Sequence, residues 1–119
     1  MNLVNLFNNE QDVTSYPERS VIFREGERGD ALYVVVEGEV EIGVRGHVID
    51  TLGPGELFGE MALIDAGPRS ATATAAAGAH VARVDERRFT FLVQQTPFFA
   101  LHVMRVLARR LRNMDETIG

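Results

Sequence analysis

Short apolar runs separated by glycine occupy the chain as far as Val84. Ser20 to Phe23 is apolar and β-branched, and Leu32 to Val36 is a near-continuous apolar run. Glu39-Val40-Glu41-Ile42-Gly43-Val44 alternates polar with apolar. Alternation predicts a half-buried strand, and a short unbroken apolar run predicts a fully buried one. Glu25-Gly26-Glu27-Arg28-Gly29-Asp30 reads as a turn. Arg45-Gly46-His47 reads as a hairpin turn from which His47 to Leu52 returns. Gly53-Pro54-Gly55 breaks the pattern, and Ser70 to Ala76 and His80 to Val84 are two further strands with a turn near Gly78. Strands this short and evenly spaced predict a jelly roll or barrel. Ahead of them, Leu3 to Phe7 is a short helix or turn.

The period then changes. Asp85 is placed to cap a helix through Gln95, with Glu86 in its favourable first turn. Pro97 starts a second helix, where its missing N–H costs nothing, running to about Glu116. Met104, Leu107, Leu111, Met114 and Ile118 recur on that helix at spacings of 3, 4, 3 and 4, a coiled-coil pattern. Phe99, Val103 and Val106 form a second stripe, suited to packing on the β-roll. Two stripes predict two partners, one of them a second subunit; the simpler alternative is one broad core-facing surface. The expected organisation is a single domain over 1–119: a β-roll over about 12–84, then helices over about 86–95 and 97–116. Gly26, Gly29 and Gly38 read as turn glycines with positive φ.

Composition narrows the class. The 119 residues are enough for one domain with its own core. No apolar run reaches the roughly 18 residues needed to span a membrane. The N-terminus lacks the basic region and apolar core of a signal peptide, and there is no cysteine for disulfides or thiolate metal sites. These features fit the cytoplasm. The net charge is −5, whereas a nucleic-acid reader carries a basic face, so no nucleic-acid partner is expected. Arg105, Arg109, Arg110 and Arg112 read as a solvated helix face.

The chemistry concentrates in Gly55-Glu56-Leu57-Phe58-Gly59-Glu60-Met61-Ala62-Leu63 and in Arg69-Ser70-Ala71-Thr72. Gly59 lets the backbone turn sharply and approach a ligand. Glu60 to Leu63 can form a short helix whose free N–H groups face an anion. Arg69 supplies a fork of donors suited to phosphate oxygens. A carboxylate beside a phosphate makes sense when the ligand also carries a hydroxyl for Glu60 to accept from. Phosphate plus sugar hydroxyl suggests a nucleotide, and one Arg with no Lys suggests a single phosphate charge. Glu60 alone reads equally as a carboxylate favoured by a helix N-terminus. Arg69 has a surface salt-bridge arginine as its alternative reading. Their neighbourhood favours the site reading of both.

Phe58-Gly59-Glu60-Met61-Ala62-Leu63 with Pro68-Arg69-Ser70-Ala71-Thr72 resembles the phosphate-binding cassette of the cyclic nucleotide-binding domain. Phe23-Arg24-Glu25-Gly26 and Gly29-Asp30-Ala31-Leu32-Tyr33 resemble its first turns, Glu37-Gly38-Glu39-Val40 its next hairpin, and Pro97 to Arg112 its long final helix. The resemblance covers nearly the whole chain. It implies a mainly β fold with flanking helices: a double-stranded β-helix, or jelly roll, followed by two C-terminal helices. It also implies that Glu60 accepts from the ribose 2′-hydroxyl, that Arg69 clamps the phosphate and that Ser70 donates to it. The N–H groups of Gly59, Met61 and Ala62 are candidates for the remaining contacts. Thr72 is expected near the base, with Arg112 stacked over the purine and Asn113 on its edge; as plain residues, those two are exposed helix positions. Ser70, where cyclic-GMP receptors of this type often have Thr, tilts the choice towards cyclic AMP. Pairing through the final helix is also implied. Many transcription factors of this family follow that helix with a helix-turn-helix, which this sequence lacks at Gly119.

Other chemistries find little support. His47, His80 and His102 are far apart and none sits in a metal-ligand motif. No nucleophile stands beside a base. The expectation is a stand-alone, non-enzymatic receiver of a cyclic purine nucleotide, with no cofactor, no metal and no catalytic residue. It would homodimerise through the final helix and act on an unknown effector without membrane attachment. The competing expectation is an interaction or dimerisation module of the same fold that no longer binds nucleotide.

Overall fold

Two long strands carry the sheet. The computed structural model describes residues 3–7, 13–65 and 67–118, with side chains described as far as Asn113. A short 3-10 helix spans Leu3–Phe7. The strands are β1 (Val13–Tyr16), β2 (Val21–Phe23), β3 (Ala31–Val44), β4 (His47–Leu52), β5 (Leu57–Phe58) and β6 (Thr72–Asp85). The helices are α1 (Met61–Ile64), α2 (Glu86–Gln95) and α3 (Phe98–Ile118).

β3 and β6 pair antiparallel along most of their length, from Ala31↔Asp85 to Gly43↔Thr72. Each also holds two short strands: β5 and β4 on β3, β2 and β1 on β6. Long shared strands that change partners along their length wrap the short ones into a double-stranded β-helix, the expected jelly roll.

The sequence predicted each long strand as two. The breaks at Gly38 and Gly78 are bends inside continuous strands, and Glu37-Gly38-Glu39-Val40 is not a hairpin. Gly38 has φ +86°, and the pairing register shifts on both sides of it. A Cβ at Gly38 would collide with the carbonyl oxygens of Gly78 and Ala77. The backbones therefore meet where only glycine fits, and the strand bends without ending. The tight hairpin lies further on, at Arg45-Gly46, where both residues have positive φ and Val44 pairs with His47.

The roll's core joins Phe23, Tyr33 and Phe58 to Val35, Val40, Leu52 and Val81. Ala73, Ala75 and Ala79 supply inward positions of β6 ahead of Val81, so that part of the strand presents a low inner face. The three aromatic rings form a cluster, with centroids 5.3 to 5.9 Å apart.

The described residues fall into two compact units, one up to Glu86 and one from Arg87 onward. In the second, Phe99 is fully buried and its ring lies 5.6 Å from that of Phe89. Val103 is buried too, whereas Met104 and Leu111 are 58% and 61% exposed. Val106 and Leu107, one from each stripe, are half-buried alike. Met114 and Ile118 lie outside the described side chains. Among the described residues no helix is long and apolar enough to cross a membrane.

Candidate functional site

Arg69 is held first by its main chain. Its N–H donates to the carbonyl of Glu27 at 2.7 Å, and its carbonyl accepts from Gly26 N–H at 2.8 Å. Pro68 and Arg28 form the adjoining bridge. The segment before β6 is thereby stitched to the turn between β2 and β3.

The side chain then crosses to two further segments. Nη1 donates to the Gly59 carbonyl at 2.9 Å and Nη2 to the Ala31 carbonyl at 2.8 Å. The guanidinium carbon lies 4.1 Å from the centre of the Phe23 ring and 5.6 Å from that of Tyr33. Arg69 is only 7% exposed, which removes the surface salt-bridge reading. Burial pushes its pKa down, while Tyr33 and Asp30 act in the opposite direction. A guanidinium stays charged through such a shift. Of its five N–H donors two go to carbonyls and the Tyr33 side chain is a further partner, so the fork keeps donor capacity for a ligand.

Glycines make room for this cation. Gly59 has φ +74°, and a Cβ there would sit 2.7 Å from Nη1. Gly29 departs from expectation: its φ is not positive. A Cβ on it would lie 2.5 Å from the guanidinium carbon and 2.7 Å from the Ala62 Cβ. Close approach, not turn geometry, requires glycine at this position. Gly26 and Gly38 do have positive φ.

Glu60 is 5% exposed and opens α1. Its backbone is helical and its side chain makes no capping hydrogen bond. Its carbonyl accepts from Leu63 and Ile64. The N–H groups of Gly59, Met61 and Ala62 precede the first intrahelical donor. Ala62 is buried and Met61 exposed. Gly59, Glu60, Met61, Ala62 and Arg69 thus share one corner of the roll.

Ser70 is exposed beside them. The Thr72 oxygen accepts from Glu25 N–H at 3.0 Å, a bond that fastens the start of β6 to the turn after β2. Arg112 and Asn113 are exposed on α3, in the second compact unit. Next to the corner, Asp30 pairs with Arg83 at 2.9 Å and fixes the entry to β3, where Ala31 presents its carbonyl. Sequence reasoning missed three contributors: the Phe23 ring, the bare Cα of Gly29 and the Ala31 carbonyl. A core aromatic and a main-chain acceptor carry no motif, so only the fold reveals them.

The model of the cyclic nucleotide-binding domain family matches residues 13–96. The chain belongs to the cyclic nucleotide-binding domain family. Its relatives include the cyclic AMP receptor protein of Thermus thermophilus, 39% identical over 105 residues, covering 84% of this chain and 49% of that protein. Another is the CRP-like cAMP-activated global transcriptional regulator of Mycobacterium tuberculosis, 32% identical over 109 residues, covering 87% of this chain and 49% of the relative. The crystal structure of the Thermus thermophilus catabolite activator protein superposes with a TM-score of 0.80 at 37% identity, covering 89% of this chain and 52% of that one. The chain therefore spans about half the length of the curated relatives it matches. Those relatives are regulatory proteins whose names tie them to cyclic AMP.

One expectation is overturned. Net charge led to the exclusion of a nucleic-acid partner, yet the matching family members include global transcriptional regulators. The inference failed because charge was summed over these 119 residues alone. A relative of twice the length can carry a basic face elsewhere, so this domain's acidity excludes nothing.

Proposed function

We propose that this chain receives a 3′,5′-cyclic purine nucleotide and acts as a regulatory, non-catalytic module, with cyclic AMP preferred over cyclic GMP. The observation that carries the reading is Arg69: a buried cation, fixed at both terminal nitrogens, with the N–H groups of α1 close by. A single phosphate charge matches a single buried guanidinium. Buried Glu60 is the acceptor for the ribose hydroxyl, and Gly59, Met61 and Ala62 give main-chain donors to the phosphate and ribose. Ser70 donates to the phosphate and sets base preference. Thr72 contributes near the base, and Arg112 and Asn113 are the candidate base contacts on α3. The module works in the cytoplasm, homodimerises through α3 and passes its signal to an effector by helix rearrangement. Titration of the purified protein with cyclic AMP and cyclic GMP by calorimetry tests this. Saturable binding with the tighter constant for cyclic AMP is expected; tighter cyclic GMP binding would reverse the preference. Ser70→Thr is expected to raise relative affinity for cyclic GMP, and an unchanged ratio in competition binding would move the selectivity to α3.

One observation favours the competing reading of a module without ligand. Two Arg69 donors already serve backbone carbonyls, as a purely structural arginine's would. Absence of any binding at millimolar cyclic nucleotide would establish that reading.

A further inference from the structure

We propose that Phe23 is a positioning residue for Arg69, setting the plane in which the guanidinium meets a phosphate. The proposal rests on the reading of Arg69 as the phosphate clamp. Nη1 and Nη2 are each tied to a carbonyl, at Gly59 and Ala31. Those two bonds and the covalent link through Nε place the group, but the link runs through side-chain torsions that are free to rotate, so a face-on contact adds to what holds the plane. The nearer such contact is the Phe23 ring, 4.1 Å from the guanidinium carbon, with the Tyr33 ring at 5.6 Å. Only an aromatic face offers a negative quadrupole to a cation, and the attraction grows when the pair is desolvated. Both partners are desolvated here: Phe23 is 8% exposed and Arg69 is 7%.

The ring is itself held. Tyr33 and Phe58 lie 5.7 and 5.9 Å from it, centre to centre, and stack on each other. A Cβ at Gly59 would come within 3.3 Å of the Phe23 ring and 2.7 Å of Nη1, so the cassette backbone closes over the pair. The aromatic cluster therefore carries the rigidity of the core directly to the cation. A clamp oriented in advance loses less freedom on meeting its anion.

The test separates an aromatic face from mere bulk. Phe23→Leu keeps an apolar side chain in the core and removes the face; Phe23→Tyr keeps the face. Phe23→Leu is expected to weaken cyclic AMP binding about tenfold, a part of the roughly thirtyfold that a desolvated cation–π contact represents. Phe23→Tyr is expected to stay within about twofold of wild type. Independently, the Arg69 Nε–H proton, assigned by its loss in Arg69→Lys, should be shifted upfield by the ring current in wild type and return towards the free-arginine position in Phe23→Leu. An unshifted wild-type signal would overturn the proposal even if neither variant folded. So would equal loss of affinity in both variants, or full affinity in Phe23→Leu. Should wild type fail to bind cyclic AMP at all, the nucleotide reading falls, while the proton shift still decides whether Phe23 orients Arg69.

Discussion

At the scale of single residues, Arg69 has a structural role beside its proposed one. Its main chain joins two turns and its guanidinium satisfies two carbonyls. Arg69→Ala should therefore weaken cyclic nucleotide binding by about 2–5 kcal/mol through an unpaired phosphate charge. It should also lower folding stability by about 1–3 kcal/mol, because the Gly59 and Ala31 carbonyls lose a buried donor. Denaturant unfolding without nucleotide, run beside calorimetry, separates the two; unchanged stability would show that the carbonyl bonds contribute nothing net. Glu60→Ala should cost about 1–3 kcal/mol of binding through loss of the hydroxyl acceptor. Gly29→Ala is the sharper geometric probe, because its Cβ would intrude between the guanidinium and Ala62. Loss of affinity by tenfold or more is expected there, and wild-type affinity would mean that the corner is looser than the distances imply.

Among the secondary-structure elements, the short strands and the turn at Arg45-Gly46 were legible from alternation and glycine placement. The continuity of β3 and β6 was not. Gly38 and Gly78 look like turn residues in a linear pattern, because sequence does not show that one glycine packs against the other across paired strands. The cassette was legible because its residues are contiguous, from Gly59 to Arg69, and chemically unusual together. Phe23 and Gly29 were not, because they reach Arg69 only through the pairing of distant turns. Gly38→Ala combines an unfavourable positive φ with a collision against the Gly78 carbonyl. It should destabilise the roll by roughly 2–5 kcal/mol, with the larger part from overpacking. Chemical denaturation measures this, and a cost below about 1 kcal/mol would show that the bend tolerates a side chain.

For the molecule as a whole, α3 offers one titratable handle and one proposed role. Burial, together with nearby positive charge that includes Arg109 and Arg105, holds the pKa of His102 below its ordinary value. The folded protein thus takes up this proton later than the unfolded chain. Stability from this group is present above about pH 6.5 and is lost as pH falls through the lower folded value. His102→Gln should flatten that part of the decline between pH 7.5 and 5, and an identical slope in both proteins would exclude His102 as its source. The exposed Met104 and Leu111 support pairing through α3. Leu107→Glu with Leu111→Glu should shift a dimer to monomer in analytical ultracentrifugation, and wild type that stays monomeric at high micromolar concentration would remove that role. Nucleotide must then change dimer affinity by the factor that dimerisation changes nucleotide affinity. All of this depends on whether the corner at Arg69 takes a cyclic nucleotide. The most direct measurement is the thermal midpoint of the purified chain against rising cyclic AMP and cyclic GMP, with Arg69→Ala in parallel. Binding to the native state alone predicts a midpoint that climbs with concentration for wild type and barely moves for the variant. A wild-type midpoint that stays fixed up to millimolar levels of both nucleotides would contradict the account.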